Sequence, residues 1–451
     1  MSGNGDLGRR LHRTVAEKLS ERLRTLDGSD PLSVEDEQAL TRSLIAAELA
    51  RLAEDAYRSG QTPLDASAES DLAEAVFDRV HGLGRLQPYI NDPDVSNIHV
   101  NGCDNVWLVY RDGTKVRGEP AADSDRDLIE MVSTAARRIG RSEKRWDQVS
   151  WELHLQLPGG ERLHAVMGLT GRPAITIRRH DFSIYRLKHL IDLGVIDEGL
   201  AEFLGAAVRA KLNLIVAGGT NTGKTTMLRC LLNEIPPEER VVTVEDNLEI
   251  GLDRFTDLHP DQVMWERRGA NIEGRGEATL ADCVRATLRQ NPDRVIVGEI
   301  RGIEVVDMLR AMSQGNDGSM SSIHADSSKG AIVRLGMYTA EAGLDEETSN
   351  KWIANAVDLI VHLGWVDGMR RVTSVREVLE AEARQIATNE VYRPAADGKA
   401  MPAPGPTIRN DTLAHLVDAG FDAAYLTGLS GLIGFQRGVM VASRFQLGFP
   451  A

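Results

Sequence analysis

Apolar and polar positions follow a helical period through the first part of the chain. Residues 1–80 are rich in Ala, Leu, Glu and Arg, as in LIAAELARLAEDAYRSG. Their apolar side chains recur at the three- and four-residue spacing of an amphipathic helix. This segment carries no cluster of chemically reactive side chains, so we interpret it as a helical N-terminal extension.

From residue 81 onward the pattern changes to short β-type runs. The runs are NIHVNG, NVWLVY, RLHAVMG and AITIRR, and they surround one helical stretch, DLIEMVSTAARRIG. Gly, Asp and Pro separate these runs, as expected for turns between strands. The pattern predicts a compact, smaller α+β domain over residues 81–182.

Continuous apolar runs then alternate with helical windows over residues 183–392. The runs are LNLIVA, VVTVED, RVIVGEI and DLIVHL. Strands that are apolar throughout are typical of a parallel sheet with helices on both faces, so this region predicts an α/β domain.

Residues 393–451 are predicted to form a flexible tail. They begin with RPAADGKAMPAPGPTIRND, which is rich in Pro, Gly and Ala. The weakly apolar end of the tail, GLIGFQRGVMVASRF, receives no predicted role.

Composition and charge narrow the function classes. The chain has 451 residues, 42% hydrophobic and 26% charged, which are globular values for about three domains. Its formal net charge of −15 argues against a general nucleic-acid binder, so no nucleic-acid partner is expected. Cys103, Cys230 and Cys283 form no CxxC pair, which favours a reducing cytoplasmic location. Without an apolar signal core or a run of about 18 apolar residues, we expect any membrane association to be peripheral.

The segment AGGTNTGKTT fits the P-loop pattern G-x-x-x-x-G-K-[ST], between a strand-like run and a helix-like run. Glycines let the backbone wrap closely around phosphates, and a helix start adds positive potential. Lys224 is expected to reach the β- and γ-phosphates of a nucleotide, and Thr225 to ligate Mg²⁺. The predicted nucleotide-binding residues are Gly218, Gly219, Thr220, Asn221, Thr222, Gly223, Lys224, Thr225 and Thr226.

Carboxylates stand at the ends of two later apolar runs. VVTVED ends in Glu245 and Asp246, and RVIVGEI carries Glu299 near its end. Ligands of α/β sheets bind beyond the carboxyl ends of the strands, where such acids would meet. There one carboxylate can orient water while another holds Mg²⁺. Either acid taken alone is equally consistent with an ordinary strand-capping carboxylate.

Four ordered stretches resemble the type II/type IV secretion and pilus ATPase superfamily. They are GGTNTGKTT, TVEDNLEI, NIEGRGEATLADCVRATLRQNPDRVIVGEIRG and GSMSSIHADS, within residues 81–392. The branch that the chain most resembles is the CpaF-like Tad pilus assembly ATPases. The resemblance implies a RecA-like P-loop domain. It also implies that Glu245 activates water, that Glu299 is the Walker B glutamate at Mg²⁺, and that His324 lies near the γ-phosphate.

The resemblance also gives a role to two arginines of the α+β domain. Family members place arginines from this domain against the nucleotide, and Arg162 and Arg178 are the candidates here; otherwise they are solvated strand-end side chains. HLQLPGG has Gln156 where ARLPDG-like relatives carry arginine. A neutral amide does not replace a guanidinium group, so one expected positive contact is missing.

By resemblance, the chain is predicted to be a cytoplasmic Mg-ATP-dependent motor that powers pilus assembly or secretion at the inner membrane. A homo-oligomer, expected as a hexamer, and a polytopic inner-membrane platform protein are the implied partners. One alternative is a conjugation-type type IV secretion ATPase, which shares all four stretches. Another is a nucleotide-gated assembly scaffold with little hydrolysis, which Gln156 favours. A GTPase is disfavoured because no N-K-x-D-type motif follows the P-loop.

Overall fold

The structure is a computed structural model that describes residues 2–25, 32–139, 145–179, 182–270, 274–382, 384–405 and 407–427. Internal contacts divide the chain into a first unit, Met1–His180, and a second unit, Asp181–Ala451. The division falls two residues before the boundary predicted between residues 182 and 183. The predicted helical extension and the predicted α+β domain both belong to the first unit.

Three helices open the first unit, namely α1 (Ser2–Thr25), α2 (Val34–Arg58) and α3 (Ala66–His81). Ser33 caps α2 and Asp65 caps α3, each accepting a backbone N–H from the first turn. These caps satisfy donors that have no partner within the helix. The three helices pack around a small apolar core that includes Val15, Leu49 and Val76.

An antiparallel sheet, two α-helices and a 3-10 helix, Gly84–Leu86, make up the rest of the described first unit. In chain order the elements are α4 (Gln87–Asn91), β1 (Val95–Asn101), β2 (Val106–Tyr110), β3 (Lys115–Arg117), α5 (Asp125–Ile139), β4 (Glu152–Gln156), β5 (Arg162–Val166) and β6 (Ala174–Arg178). The six strands of this described sheet are antiparallel to their neighbours in the order β3-β2-β1-β6-β5-β4. Alternate residues such as Ile98, Leu163 and Ile177 pack with Leu128 and Val132 of α5. The opposite face of β4, β5 and β6 carries mostly polar side chains.

The second unit alternates helices and strands before ending in an antiparallel extension. In chain order the elements are α6 (Leu187–Asp192), α7 (Glu198–Arg209), β7 (Leu214–Gly218), α8 (Lys224–Leu232), β8 (Val241–Glu245), β9 (Gln262–Glu266), α9 (Leu280–Thr287), β10 (Arg294–Ile300), α10 (Val305–Ser313), β11 (Met320–His324), α11 (Ser328–Glu341), α12 (Glu346–Ala356), β12 (Leu359–Val366), β13 (Met369–Glu382), β14 (Gln385–Pro394), β15 (Ala400–Pro402) and α13 (Asn410–Asp418).

The described strands of the second unit form one sheet in the order β15-β14-β13-β12-β7-β11-β10-β8-β9. Neighbours from β12 to β9 are parallel, and β13, β14 and β15 continue the sheet in antiparallel fashion. The predicted α/β fold with a parallel sheet is therefore confirmed, with antiparallel strands added at one edge.

Both faces of the parallel strands are covered by helices. In β7, Leu214 and Val216 join a core that contains residues of α7 and α8, whereas Ile215 and Ala217 join a core that contains residues of α10, α11 and α12. This double burial explains why these strands are apolar throughout in sequence. It also leaves the strand ends as the places where polar side chains can gather.

The described part of the predicted flexible tail is instead folded. Residues 393–427 contain the end of β14, β15, α13 and a 3-10 helix, Ala423–Thr427. Leu416 and Phe421 are buried, and the Phe421 ring lies 5.5 Å from the Phe203 ring in an edge-on arrangement. The Pro and Gly content therefore describes only the loops around β15, while apolar residues of TLAHLVDAGF pack on α7. The segment GLIGFQRGVMVASRF lies outside the described residues.

None of the described helices combines the length and the apolar character that a membrane crossing requires.

Candidate functional site

The loop between β7 and α8 has the strand–loop–helix context that a P-loop requires. β7 is fully buried up to Gly218, and α8 begins at Lys224 directly after Gly223, whose φ of 96° lies in the left-handed region. At Gly218, a Cβ atom would lie 2.7 Å from the carbonyl oxygen of Leu363 and 2.5 Å from the Thr222 hydroxyl oxygen. A larger residue at Gly218 would therefore clash with its neighbours, and one at Gly223 would be strained by the left-handed backbone conformation.

The start of α8 supplies an anion site by its geometry alone. The first backbone N–H groups of a helix have no partner within that helix, and the helix dipole adds a partial positive charge there. A phosphate group in contact with the loop would meet both. Thr225 and Thr226 stand in the first turn of α8 and are half-buried, so the Thr225 hydroxyl lies on the element that would hold the phosphates.

Lys224 is held inside the site. Its side chain is 9% exposed, and Nζ donates to the Gly219 carbonyl oxygen at 3.0 Å. The same Nζ lies 3.3 Å from Nε2 of His324 and 3.9 Å from Oε1 of Glu299. The ammonium group therefore already contacts two of the other predicted site residues.

Glu299 and His324 meet because their strands are neighbours. β11 lies between β7 and β10, and His324 pairs in register with Gly218. The His324 Nε2 and Glu299 Oε1 atoms are 2.8 Å apart. Partial burial and the nearby Lys224 ammonium lower the pKa of His324, which favours the neutral ring. We call Lys224, Glu299 and His324 the phosphate-end cluster.

Two arginines that sequence analysis did not single out form ion pairs beside the site, Arg301 with both Glu299 and Asp246 and Arg267 with Asp246. Arg301 donates from Nε to Glu299 Oε2 at 2.6 Å and lies 3.2 Å, through Nη1, from Oδ2 of Asp246. Arg267 forms a second ion pair with Asp246. Arg301 stands two residues after Glu299 in GEIRG, so its position beside the predicted Walker B glutamate was the available signal.

Glu245 occupies a different environment. Its side chain is buried at the end of β8, and Oε2 accepts the backbone N–H groups of Glu249 and Ile250 at 2.8 and 2.9 Å. Burial raises the pKa of Glu245 to about 8, although the two N–H donors oppose that shift. Glu245 therefore organises the loop that follows β8, and its described hydrogen bonds go to that loop rather than to the phosphate-end cluster.

Arg370 is a further residue at the loop that sequence analysis missed. Its guanidinium donates to the carbonyl oxygen of Asn221 at 3.0 Å and to the Asn221 side-chain oxygen at 2.9 Å. Asn221 has a φ of 59°, and this pair of bonds supports that conformation. Arg370 follows the tight β12–β13 turn at Asp367 and Gly368, and the Asp-Gly dipeptide there was the sequence signal for the turn.

The donor set at the phosphate end suits Mg²⁺. A threonine hydroxyl and a glutamate carboxylate are the hard oxygen ligands that Mg²⁺ prefers. The positive groups of Lys224 and Arg301 lie beside the Glu299 carboxylate, and His324 contacts it. This carboxylate therefore already interacts with positive charge. Thr225 and Glu299 are therefore the residues that fit the ion.

Arg162 and Arg178 belong to the first unit, where they lie side by side. They are directly paired on β5 and β6, and the same register continues to Gln156 on β4 and Asn97 on β1. All four positions lie on the sheet face opposite the core, with Arg178 exposed and Arg162 half-buried. We call this set the arginine row. Gln156 lies next to Arg162, so the departure from the family pattern falls within the row.

Sequence comparison identifies the kind of protein to which this geometry belongs. The sequence profile of the family described as type II/IV secretion system protein matches residues 86–397. A putative conjugal transfer protein of Mycobacterium tuberculosis is 32% identical over 312 residues, which is 67% of this chain and 86% of that protein. The type IV secretion system protein PtlH of Bordetella pertussis is 31% identical over 307 residues, 62% of this chain and 88% of that protein.

The chain is also similar to a solved structure, the VirB11 ATPase of the Brucella suis type IV secretion system, with 25% sequence identity. The similarity covers 64% of this chain and 91% of that one, with a TM-score of 0.34.

Proposed function

We propose that this chain, which belongs to the type II/IV secretion system protein family, is a Mg-ATP-dependent motor ATPase that powers pilus assembly or secretion. The observation that carries the proposal is the phosphate-end cluster. A P-loop lysine, a strand-end glutamate and a strand-end histidine converge beside a helix N-terminus, which is the arrangement that cradles and cleaves a terminal phosphate.

Each site residue has a proposed task. The loop Gly218–Thr226 and the start of α8 hold the phosphates, and Lys224 contacts the β- and γ-phosphates. Thr225 and Glu299 hold Mg²⁺, which when bound neutralises charge on the phosphates. His324 contacts the γ-phosphate as a neutral hydrogen-bonding group.

Glu245 is proposed to activate the attacking water. Two backbone N–H groups hold one of its oxygens, which leaves Oε1 as the acceptor. A carboxyl group takes a proton from water only in its ionised form. Because the pKa of Glu245 is raised to about 8, we expect turnover to increase as the pH rises from 6 to 8.

Arg162 and Arg178 are proposed to stabilise charge that develops on the γ-phosphate. Their pairing across β5 and β6 brings two guanidinium groups onto one face, which supports a joint role. Gln156 provides no positive charge beside them, so we expect a slower chemical step than an arginine there would give.

The proposed partners follow from the family. We propose a ring of identical subunits, with six as the expected number, that acts at the inner face of the cytoplasmic membrane on a polytopic platform protein. A motor of this class converts hydrolysis into movement of its parts. The Tad pilus branch remains our first candidate for the system served.

A conjugation-type or other type IV secretion ATPase is the second candidate. The printed names of the M. tuberculosis and B. pertussis relatives favour it. The two candidates differ in cargo, since one moves pilin subunits and the other moves protein or DNA. Deleting the gene and measuring surface pili and DNA transfer separately would distinguish them.

Steady-state ATP hydrolysis by the purified full chain tests the motor proposal. Wild type should hydrolyse ATP, whereas Glu245→Gln should still bind ATP but turn over slowly. Particle mass with and without a non-hydrolysable ATP analogue reports the ring. Binding and assembly without turnover would overturn the motor and favour a nucleotide-gated scaffold, and Gln156→Arg would then be the first variant to assay.

A further inference from the structure

Three potential metal ligands converge on the polar face of the first unit's sheet. Glu152 and His154 stand on β4, and His164 stands on β5 directly opposite His154. Oε1 of Glu152 lies 3.1 Å from Nε2 of His154 and 3.0 Å from Nε2 of His164. One ligand atom from each residue lies within 4.8 Å of the others.

The strand pattern fixes this arrangement. Alternate residues of β4 and β5, including Leu153, Leu155 and Leu163, are buried in the core of the unit. The residues between them must therefore point to the other face. In an antiparallel pair, directly opposite side chains and their diagonal neighbours are close enough to share a ligand. The three residues thus form a preset site on a rigid sheet rather than on a loop.

The chemistry of the donor set selects the kind of ion. Two imidazole nitrogens and one carboxylate oxygen suit Zn²⁺ and its d-block neighbours, whereas Mg²⁺ prefers an all-oxygen shell. An ion of this kind binds neutral imidazole nitrogens and ionised carboxylate oxygens.

The spacing is also compatible with coordination. Zinc–nitrogen bonds of about 2.0–2.1 Å in a tetrahedral site place ligand atoms a little over 3 Å apart. The Glu152 oxygen already lies at that separation from both ring nitrogens. Three protein ligands leave a fourth position for water or an incoming group.

We propose that Glu152, His154 and His164 bind one divalent d-block cation, with Zn²⁺ as the expected ion. None of the three belongs to the phosphate-end cluster or to the arginine row, so the site does not depend on the proposed nucleotide function. Within the part of the chain that the structure describes, this is the group of three such residues whose ligand atoms converge.

Metal titration of the purified, nucleotide-free full chain tests the proposal. Zn²⁺ binding is measured by calorimetry, and Co²⁺ serves as a spectroscopic probe because tetrahedral coordination gives intense visible bands. We expect one site per chain. Since loss of an outer-shell partner already weakens metal binding about 10- to 100-fold, His154→Ala or His164→Ala should weaken it at least tenfold.

His99→Ala is the matched control. His99 lies in the same register and on the same face, but Thr176 separates it from His164. Its removal should leave the affinity unchanged. All three ligand side chains are partly exposed, so the variants should fold, and circular dichroism checks this. Unchanged affinity in the double variant His154→Ala/His164→Ala, or no stoichiometric binding by wild type, would overturn the proposal.

Discussion

The parallel sheet of the second unit gathers its polar side chains at the ends of its strands, whereas the antiparallel sheet of the first unit spreads them across one face. β7, β10 and β11 are covered on both faces, so their charged side chains lie near the strand ends, while the buried Ser321 and Ser322 within β11 donate to backbone carbonyl oxygens. β4, β5 and β6 are covered on one face, and register alone decides which polar side chains become neighbours.

This difference has energetic consequences. At the buried strand ends, each charged group depends on a partner, because an unpaired charge removed from water is costly. On the polar face of the first unit's sheet, water screens charged groups, so ion pairs there contribute little to stability. Substitutions in the second unit should therefore have the larger effects, and substitutions in the arginine row the smaller ones.

Removing the buried Lys224 ammonium should have the largest effect on activity. Lys224→Ala should reduce ATP hydrolysis at least about a hundredfold, the scale seen when one transition-state contact is lost. Hydrolysis is measured at saturating ATP. The exposed Lys351, which pairs with Glu347 on α12, provides a control, and Lys351→Ala should behave as wild type. Undiminished activity in Lys224→Ala would contradict the proposal that Lys224 binds the phosphates.

The core of the second unit should extend to residue 421. Phe421→Ala should destabilise the protein by about 3–5 kcal/mol, because the buried ring packs on Phe203 and leaves a cavity when removed. Val417 on α13 is 46% exposed, so Val417→Ala should cost much less. Urea denaturation compares the two variants, and equal midpoints would indicate that α13 and its surroundings add nothing to this core.

Stability should depend on pH through Glu245. Burial raises its pKa from the ordinary value of 4.5 to about 8. The contribution of this carboxyl to the free energy of unfolding is therefore complete below pH 4.5, where the group is protonated, and is lost as the pH rises through about 8. Glu245→Gln cannot ionise and keeps an acceptor oxygen for the two backbone N–H groups. The variant should therefore gain stability over wild type between pH 5 and pH 9, by a few kcal/mol at about 1.4 kcal/mol per pKa unit.

Urea denaturation at pH 5, 7 and 9 measures this gain. The exposed Glu347→Gln is the matched control, because it also replaces one carboxylate by an amide. A difference between Glu245→Gln and wild type that does not change with pH would show that the Glu245 carboxyl ionises normally.

Substitutions on the polar face of the first unit's sheet should have the smallest of these effects. Arg178→Ala should lower turnover by about tenfold or somewhat more, equivalent to about 1.4 kcal/mol, if the side chain stabilises transferred charge. Arg117→Ala, on the exposed edge strand β3 of the same sheet, should not change turnover. Equal ATP turnover by both variants would indicate that Arg178 is an ordinary surface arginine.

Sequence reasoning worked best where one physical rule dominates. The fully apolar runs predicted the parallel strands, since burial on both faces permits little else. The P-loop pattern predicted the turn between β7 and α8, because glycine alone fits at Gly218. The same kind of reasoning placed Glu245, Asp246 and Glu299 at the shared carboxyl edge of the sheet. His324 was singled out only by the family resemblance.

Other features depended on contacts between residues far apart in sequence. Arg370 reaches Asn221 from a hairpin about 150 residues later, and nothing local to either residue indicates the pair. The composition of residues 393–405 concealed α13, because Pro and Gly in a loop say nothing about the helix that follows. The register that aligns His154 with His164 was equally invisible, since it depends on strand pairing rather than on either strand alone.

The pairing of Glu299 with positive groups would make entry of the proposed nucleotide an exchange of counterions. The Lys224 ammonium and the Arg301 guanidinium already lie beside this carboxylate. A polyphosphate would compete for Lys224, and the metal that accompanies it would compete with Arg301. Both sets of ion pairs weaken as salt is added. Affinity for the proposed nucleotide should therefore vary less with ionic strength than it would if these cations had no partners beforehand.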